Sequence, residues 1–225
     1  MKELDQQITL ALNGSDNIFW DNVMMTVTNT WAWSLVIVVL LWVMFKNKDL
    51  KEFLLILVSM ILMIVVADRL CSGFVKPMVA RWRPTQDPQI MYLIDVVDGY
   101  RGGRFGFFSG HACNTFCMAT FMAMLFRHRA VSATLYFWAL TTTYTRIYLG
   151  VHYFGDVLVG MLIGCIIGLA FYLIYDRVSY RFGGTRVSSS QFTATGYYKS
   201  DMNLLLAVIY FNYIAVVIVA LLRGV

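Results

Sequence analysis

Long apolar runs separated by short polar connectors dominate the chain from residue 24 onward. Six of them, Met24 to Phe45, Phe53 to Val75, Ser109 to Phe126, Val131 to Leu149, Val157 to Tyr175 and Met202 to Leu222, approach the length of a membrane span; crossing the hydrocarbon takes about 20 predominantly apolar residues in a helix. The pattern predicts an all-α polytopic membrane protein with six transmembrane helices. Trp31, Trp33, Trp42 and Trp138 fall in or near the ends of these runs, as an interfacial aromatic belt requires. Ahead of the first run, Ile8, Leu10, Leu12, Ile18, Phe19 and Trp20 are mixed with Asp5, Gln6, Gln7, Asn13, Ser15, Asp16 and Asp21. That mixture is too polar to span and predicts an N-terminal interfacial amphipathic helix with its apolar side down. An amphipathic cover over loops is the competing reading.

Composition narrows the class. With 59% hydrophobic and 14% charged residues in 225, the chain is too apolar for a soluble domain and reads as one membrane-embedded domain over residues 1–225. No basic segment, short apolar core and small-residue cleavage site open it, so the first span is expected to act as its own signal. The formal charge of +5 comes without a basic run interleaved with aromatics, which argues against a nucleic-acid partner. Cys71, Cys113, Cys117 and Cys165 all lie in apolar runs. Cys113 and Cys117 share a helix face, but nothing completes a zinc spacing, and the four are expected to pack as small apolar residues.

Counting spans gathers the connectors into two groups. Residues 77–108 and 150–156 fall on one side; 46–52, 127–130 and 176–201 fall on the other. The second side holds nine of the 18 Lys and Arg residues. Lys76, Arg83 and Arg146 on the first side have a chemical explanation below, and Arg69 lies within a span. With these set aside, the count is nine against five, which assigns the second side to the cytoplasm. The segment from Asp176 to Asp201, with Gly183-Gly184 and Ser188-Ser189-Ser190, reads as a polar loop.

The chemistry concentrates in Thr145-Arg146-Ile147-Tyr148-Leu149-Gly150-Val151-His152-Tyr153-Phe154-Gly155-Asp156. If one helical turn continues from Tyr153, His152 and Asp156 share a face and the carboxylate can hold the imidazole in one tautomer. A helix cap at Asp156 and an ordinary interfacial histidine would look the same. Two further pieces accompany it: Lys76 followed after six residues by Arg83-Pro84, and Ser109-Gly110-His111 opening an apolar run. Proline at 84 disfavours helix at Arg83, which is expected to be extended as it leaves the second run. Asp68 and Arg69 interrupt that run; charges at membrane depth are costly and usually functional or paired. Arg69, two turns before Lys76, sits either beneath an anion site or beside an Asp68 engaged with a neighbouring helix. The glycine-rich stretch from Asp98 to Arg104 offers Arg101 and Arg104 as further anion contacts or as solvated surface.

Taken together, K-PMVARW-RP, F-SGH and T-R-IYLGV-H-YFG-D resemble the type 2 phosphatidic acid phosphatase superfamily, whose pattern is K-x6-R-P, P-S-G-H and S-R-x5-H-x3-D. Phe108 stands where that family usually has proline, and Thr145 where it has serine. The motifs occupy residues 76–156. The resemblance implies that His152 is a nucleophile forming a phosphohistidine, oriented by Asp156. It also implies that His111 is the general acid and later the base, and that Lys76, Arg83 and Arg146 clamp the phosphate. Backbone N–H groups at Ser109 and Gly110 would point at the anion from a helix N-terminus.

Three cations take the place a metal holds elsewhere, and no metal or other cofactor is called for. Activity on a lipid phosphate in the bilayer follows, with polyprenyl diphosphate or a lipid A phosphate in a bacterial inner membrane favoured and the site facing the periplasm or exterior. A lipid-to-lipid phosphotransferase would use the same residues. A non-enzymatic lipid-binding protein or transporter is the rival of another class, but no paired interrupted helices in two related halves support transport. His128, between two arginines on the other side, is expected to be solvated and idle. The sequence assigns no oligomeric state.

Overall fold

A computed structural model describes residues 2–15, 17–181 and 190–223, and every regular element among them is helical. The helices are α1 (Lys2–Leu12), α2 (Ile18–Thr28), α3 (Ser34–Asn47), α4 (Leu50–Asp68), α5 (Lys76–Val79), α6 (Gly110–Phe126), α7 (Arg129–Tyr148), α8 (Phe154–Arg181) and α9 (Lys199–Arg223). A π-helical stretch, Arg69–Val75, joins α4 to α5 without a break in direction of the chain. Asp16, Gly183, Gly184, Ser188 and Ser189, named above, and Arg186, one of the nine basic residues counted on the second side, lie outside the described residues.

Among the described residues, four stretches are long and apolar enough to cross a membrane: Thr30–Asn47, Leu50–Val79, Phe154–Arg181 and Lys199–Arg223. The first expected span is interrupted. Asn29 ends α2 and its side chain accepts the Trp31 N–H, so a short turn separates α2 from α3. Helix α8 runs on through Arg181, so the expected polar loop from Asp176 begins later. The third and fourth expected spans correspond to α6, with 17 residues, and α7, which carries Thr134, Thr141, Thr142, Thr143 and Thr145. Their composition departs from that of lipid-facing helices because of where they sit. Helix α6 is buried along most of its length. In α7, Thr145 donates back to the Thr142 carbonyl, and Thr134 and Thr141 meet Tyr210 and Tyr213 of α9. Protein supplies the surroundings that lipid would otherwise have to.

Contact between α6 and α8 rests on Gly160, Gly164 and Gly168, spaced one turn apart. A Cβ on Gly164 would stand 2.5 Å from the Cys113 carbonyl oxygen, and one on Gly168 would stand 2.6 Å from that of Cys117. Small residues at this spacing let two backbones touch where no hydrophobic effect drives helices together. The close approach brings the start of α6 beside the start of α8, where the Ser109 N–H donates to the Asp156 carbonyl at 3.0 Å. Cys113 and Cys117 are free, buried at this seam and packed as small apolar groups.

One end of the bundle gathers the α3–α4 and α6–α7 connections and residues 190–198. Lys46 pairs with Asp201 at 2.7 Å, Lys48 with Glu52 at 2.9 Å, and Tyr175 donates to Glu52 at 2.8 Å. The other end gathers residues 76–110 and 146–156, with α1 laid across them. Thr9 of α1 is buried and accepts the Phe154 N–H at 3.0 Å, Asp5 accepts the Gly155 N–H at 2.8 Å, and Asn13 donates to the Asp95 and Tyr148 carbonyls. Helix α1 therefore is a cover seated on loops and on the first turn of α8, whose leading amides it caps.

Candidate active site

Helix α8 starts at Phe154, so Asp156 sits in its first turn, where its Oδ2 accepts the Tyr153 N–H at 3.2 Å. The same oxygen lies 3.6 Å from His152 Nδ1, which has no hydrogen-bond partner among the described residues. On the far side of the ring, Arg83 Nη1 lies 3.4 Å from His152 Nε2. A guanidinium only donates, so this contact assigns the lone pair to Nε2 and leaves the proton on Nδ1, facing the carboxylate. His152 is 2% exposed and Asp156 fully buried. Burial, then the positive charges of Arg83, Arg146 and Lys76, hold the imidazole well below its ordinary range and keep it neutral.

Arg83 leaves α5 in extended backbone, as the following proline requires. Its Nε donates to Phe105 O at 3.1 Å and its Nη1 to Val151 O at 3.2 Å. The 102–106 segment crosses directly over it. Gly102 has φ +64°, and a Cβ there would stand 2.8 Å from Arg83 Nη1; a Cβ on Gly106 would stand 2.9 Å from Asp156 Oδ2. Only glycine lets the loop close over the guanidinium and the dyad together.

Arg146 ends α7 with 2% exposure. It donates to Thr28 Oγ1 at 2.7 Å and to Tyr100 Oη at 2.9 Å, and its Nε has no hydrogen-bond partner among the described residues. Lys76 reaches the start of α6, where a Cβ on Gly110 would stand 3.8 Å from its Nζ. Ser109 departs from expectation. Its N–H is taken by Asp156 O and its hydroxyl caps the Ala112 N–H, so it holds α6 in place, and the amides of Gly110 and His111 are left at the helix N-terminus. His111 is exposed and lies in the field of Arg146, Lys76 and Arg83. A cavity of about 360 Å³ runs from it along Leu40, Met118, Leu135 and Ile209, between α3, α6, α7 and α9.

The secondary candidates lie apart from this cluster. Arg69 is exposed on the π-helical stretch, and the anticipated Asp68 ion pair is replaced by a 3.2 Å bond from Ser72. Arg101 donates to Thr85 O at 3.1 Å, pinning the glycine loop, and Arg104 stacks 4.6 Å above Trp82. His128 caps α7 through a 3.4 Å bond from the Val131 N–H. The sequence reading missed Arg81. Its Nη1 is 2.7 Å from Asp156 Oδ1, its Nη2 is 2.6 Å from Asp5 Oδ2, and its guanidinium lies over the Tyr153 ring at 4.1 Å. Its place inside the K-x6-R-P spacing was the available signal. Asp5, Thr28 and Tyr100 had none, because each arrives from a distant part of the chain.

Comparison with known proteins shows the family. Residues 52–180 match the family model described as the PAP2 superfamily. A lipid A 4'-phosphatase of Bacteroides thetaiotaomicron is 39% identical over 182 residues, covering 80% of this chain and 81% of the relative. The lipid A 4'-phosphatase of Porphyromonas gingivalis is 34% identical over 173 residues, covering 77% and 73%. In fold the chain is similar to the crystal structure of Aquifex aeolicus LpxE, with TM-score 0.55 and 22% identity over 75% of this chain and 94% of that one. It is also similar to a PAP2-type phosphatidylglycerolphosphate phosphatase from Bacillus subtilis, with TM-score 0.59 and 21% identity over 82% and 89%.

Proposed function

The chain belongs to the PAP2 superfamily and is a lipid phosphatase of the membrane, and from that premise we propose that it hydrolyses a phosphate of lipid A through a phosphohistidine on His152. The observation that carries the mechanism is the His152 ring held between Asp156 and Arg83, with its lone pair on Nε2. The phosphate displaces Arg83 from Nε2 and keeps it as a ligand, with Arg146, Lys76 and the Gly110 and His111 amides on the remaining oxygens. His111 takes up a proton as the incoming phosphate offsets the charges of Arg146, Lys76 and Arg83; Nε2 then attacks phosphorus in line, the phosphorus–oxygen bond to the lipid breaks, and His111 passes that proton to the departing oxygen. Water then gives its proton to His111 and attacks the phosphohistidine, which releases inorganic phosphate and restores both histidines.

Lipid A is the substrate supported best because the two curated relatives carry that name over about four-fifths and three-quarters of this chain. The apolar cavity beside His111 supports a lipid whose chains stay between α3, α6, α7 and α9 during turnover. In this reading α6 and α7 complete six spans, α1 lies at the headgroup level, and the site faces the periplasm of a bacterial inner membrane. Phosphate release from purified enzyme is compared over a lipid A phosphate, polyprenyl diphosphate, phosphatidic acid and phosphatidylglycerol phosphate, without acceptor lipid. The highest kcat/KM is expected on lipid A. A higher value on any other lipid overturns the substrate, and phosphate appearing only when an acceptor alcohol is supplied makes the enzyme a transferase. For orientation, Tyr92→Cys and Lys51→Cys, both at exposed positions, are made in a chain lacking the four native cysteines. An impermeant maleimide on spheroplasts should label the first and spare the second; the reverse pattern inverts the topology.

A further inference from the structure

Asp156 is a fully buried carboxylate, and a buried charge needs compensation from groups of fixed geometry. That compensation reaches it from the other end of the sequence. Arg81 grips Asp156 Oδ1 with Nη1 at 2.7 Å and Asp5 Oδ2 with Nη2 at 2.6 Å, while its face rests on Tyr153. Tyr153 is itself fixed by donating to Asp87 at 2.8 Å. The second Asp5 oxygen accepts from Gly155, so α1 touches the first turn of α8 directly and through Arg81. Resting on the assignment of His152 as nucleophile, we infer that Arg81 and Asp5 are positioning residues, with α1 a strut that sets the Asp156 carboxylate against His152.

The charge balance explains why both carboxylates are needed. Asp5, Arg81 and Asp156, when ionised, sum to one negative charge, which remains available to the His152 Nδ1–H across 3.6 Å. An Arg81–Asp156 pair alone would be neutral and would hold the imidazole proton weakly. Without Arg81, the buried Asp156 and the partly buried Asp5 carboxylate would repel, and one would take up a proton. In either case Nε2 becomes a poorer nucleophile while the phosphate clamp of Arg83, Arg146 and Lys76 is untouched. The effect therefore belongs in kcat.

The test measures kcat and KM of the full-length enzyme in detergent, on a lipid A phosphate, for Asp5→Asn, Arg81→Ala, Arg81→Lys, Asp5→Asn/Arg81→Ala and His152→Ala. Asparagine keeps the oxygen that caps Gly155, so Asp5→Asn removes the charge and leaves the fold. It should lower kcat about tenfold with KM within about twofold. Arg81→Ala should lower kcat about a hundredfold, Arg81→Lys should recover part of that, and the double variant should be no slower than Arg81→Ala, because Asp5 acts through Arg81. If Arg81→Ala fails to fold, Asp5→Asn and Arg81→Lys decide. Wild-type kcat in Asp5→Asn, an Arg81 effect confined to KM, or full additivity in the double variant overturns the inference. His152→Ala separates it from the reading beneath it. Turnover surviving in His152→Ala sinks the phosphohistidine, whereas a dead His152→Ala beside normal Asp5 and Arg81 variants sinks the positioning role alone.

Discussion

The two ends of the bundle carry charge in different ways. At the end holding the α3–α4 turn, Lys46 and Lys48 sit on Asp201 and Glu52, and Glu52 also accepts from Tyr175. These cations are neutralised. At the motif end, Arg83 and Arg146 donate to carbonyls, a hydroxyl, a phenol and an imidazole, and no carboxylate is in ion-pair range of either among the described residues. Arg81 is paired there among the described residues, with Asp156 beside His152 and with Asp5 of α1. Holding cations with neutral dipoles is expensive until an anion arrives. In the proposed reading, the difference separates a latch from a phosphate site.

The strongest way to break that contrast is to remove the groups that react. His152→Ala and His111→Ala should each lower kcat by at least about a hundredfold, measured as phosphate release from lipid A. Near-normal turnover in either would dissolve the distinction between the ends. Next come the unpaired cations. Arg83→Ala and Arg146→Ala should each cost about 3 kcal/mol of transition-state stabilisation, or about a hundredfold in kcat/KM. Lys46→Ala, which removes a neutralised cation, should leave kcat/KM within about twofold. Equal losses at Lys46 and Arg146 would mean that pairing says nothing about function.

Much of this was legible in the residues. The spacings Lys76–Arg83, Ser109–His111 and Arg146–Asp156 named the cluster, because such motifs are local and their side chains are fixed by a turn or a helix start. The second to sixth apolar runs fell on α4, α6, α7, α8 and α9, while the first straddled α2 and α3. Asn29, which stops α2, was hidden inside an apolar run because one capping amide changes mean hydropathy little. The Gly160, Gly164 and Gly168 seam carries no apolar signal at all, yet it brings Ser109 against Asp156. Arg69 failed for the opposite reason. Its spacing from Lys76 assumed 3.6 residues per turn, and the π-helical stretch from Arg69 to Val75 turns it outward. Asp5 and Arg81 meet across 76 positions, and no local pattern reports such a pair.

The seam offers an intermediate test. Gly164→Val places a Cβ 2.5 Å from the Cys113 carbonyl, forces α6 from α8, and should cost about 1–3 kcal/mol. Thermal unfolding in detergent and kcat should fall together, since the seam carries the start of α6 to the dyad. Loss of stability with unchanged kcat would show that the site does not depend on that contact. Acidity gives a smaller effect. The His152 imidazole lies below its ordinary value near 6.5 because of burial and the charges of Arg83, Arg146 and Lys76. A lowered value means that the neutral form persists as pH falls, so the nucleophile's limb in kcat/KM should stay flat through pH 6.5 and drop only at lower pH. A limb centred at or above 6.5 would contradict the burial and the charges alike.

The smallest effect is expected from the third histidine. His128 lies at the latch end, with extended backbone at φ −119° and ψ 115°, and its Nδ1 accepts the Val131 N–H at 3.4 Å. That contact is long, and histidine is not among the preferred N-cap residues, so His128→Ala should cost at most about 1 kcal/mol. His128→Ser supplies a shorter and better cap and should match or exceed the wild-type unfolding temperature. Neither should move kcat, because His128 begins α7 and Arg146 lies in its last turn, a full helix away. The pair of measurements therefore asks whether the ends are independent. A fall in kcat in His128→Ala that His128→Ser restores in step with the unfolding temperature would show that α7 transmits the state of the latch to the phosphate clamp.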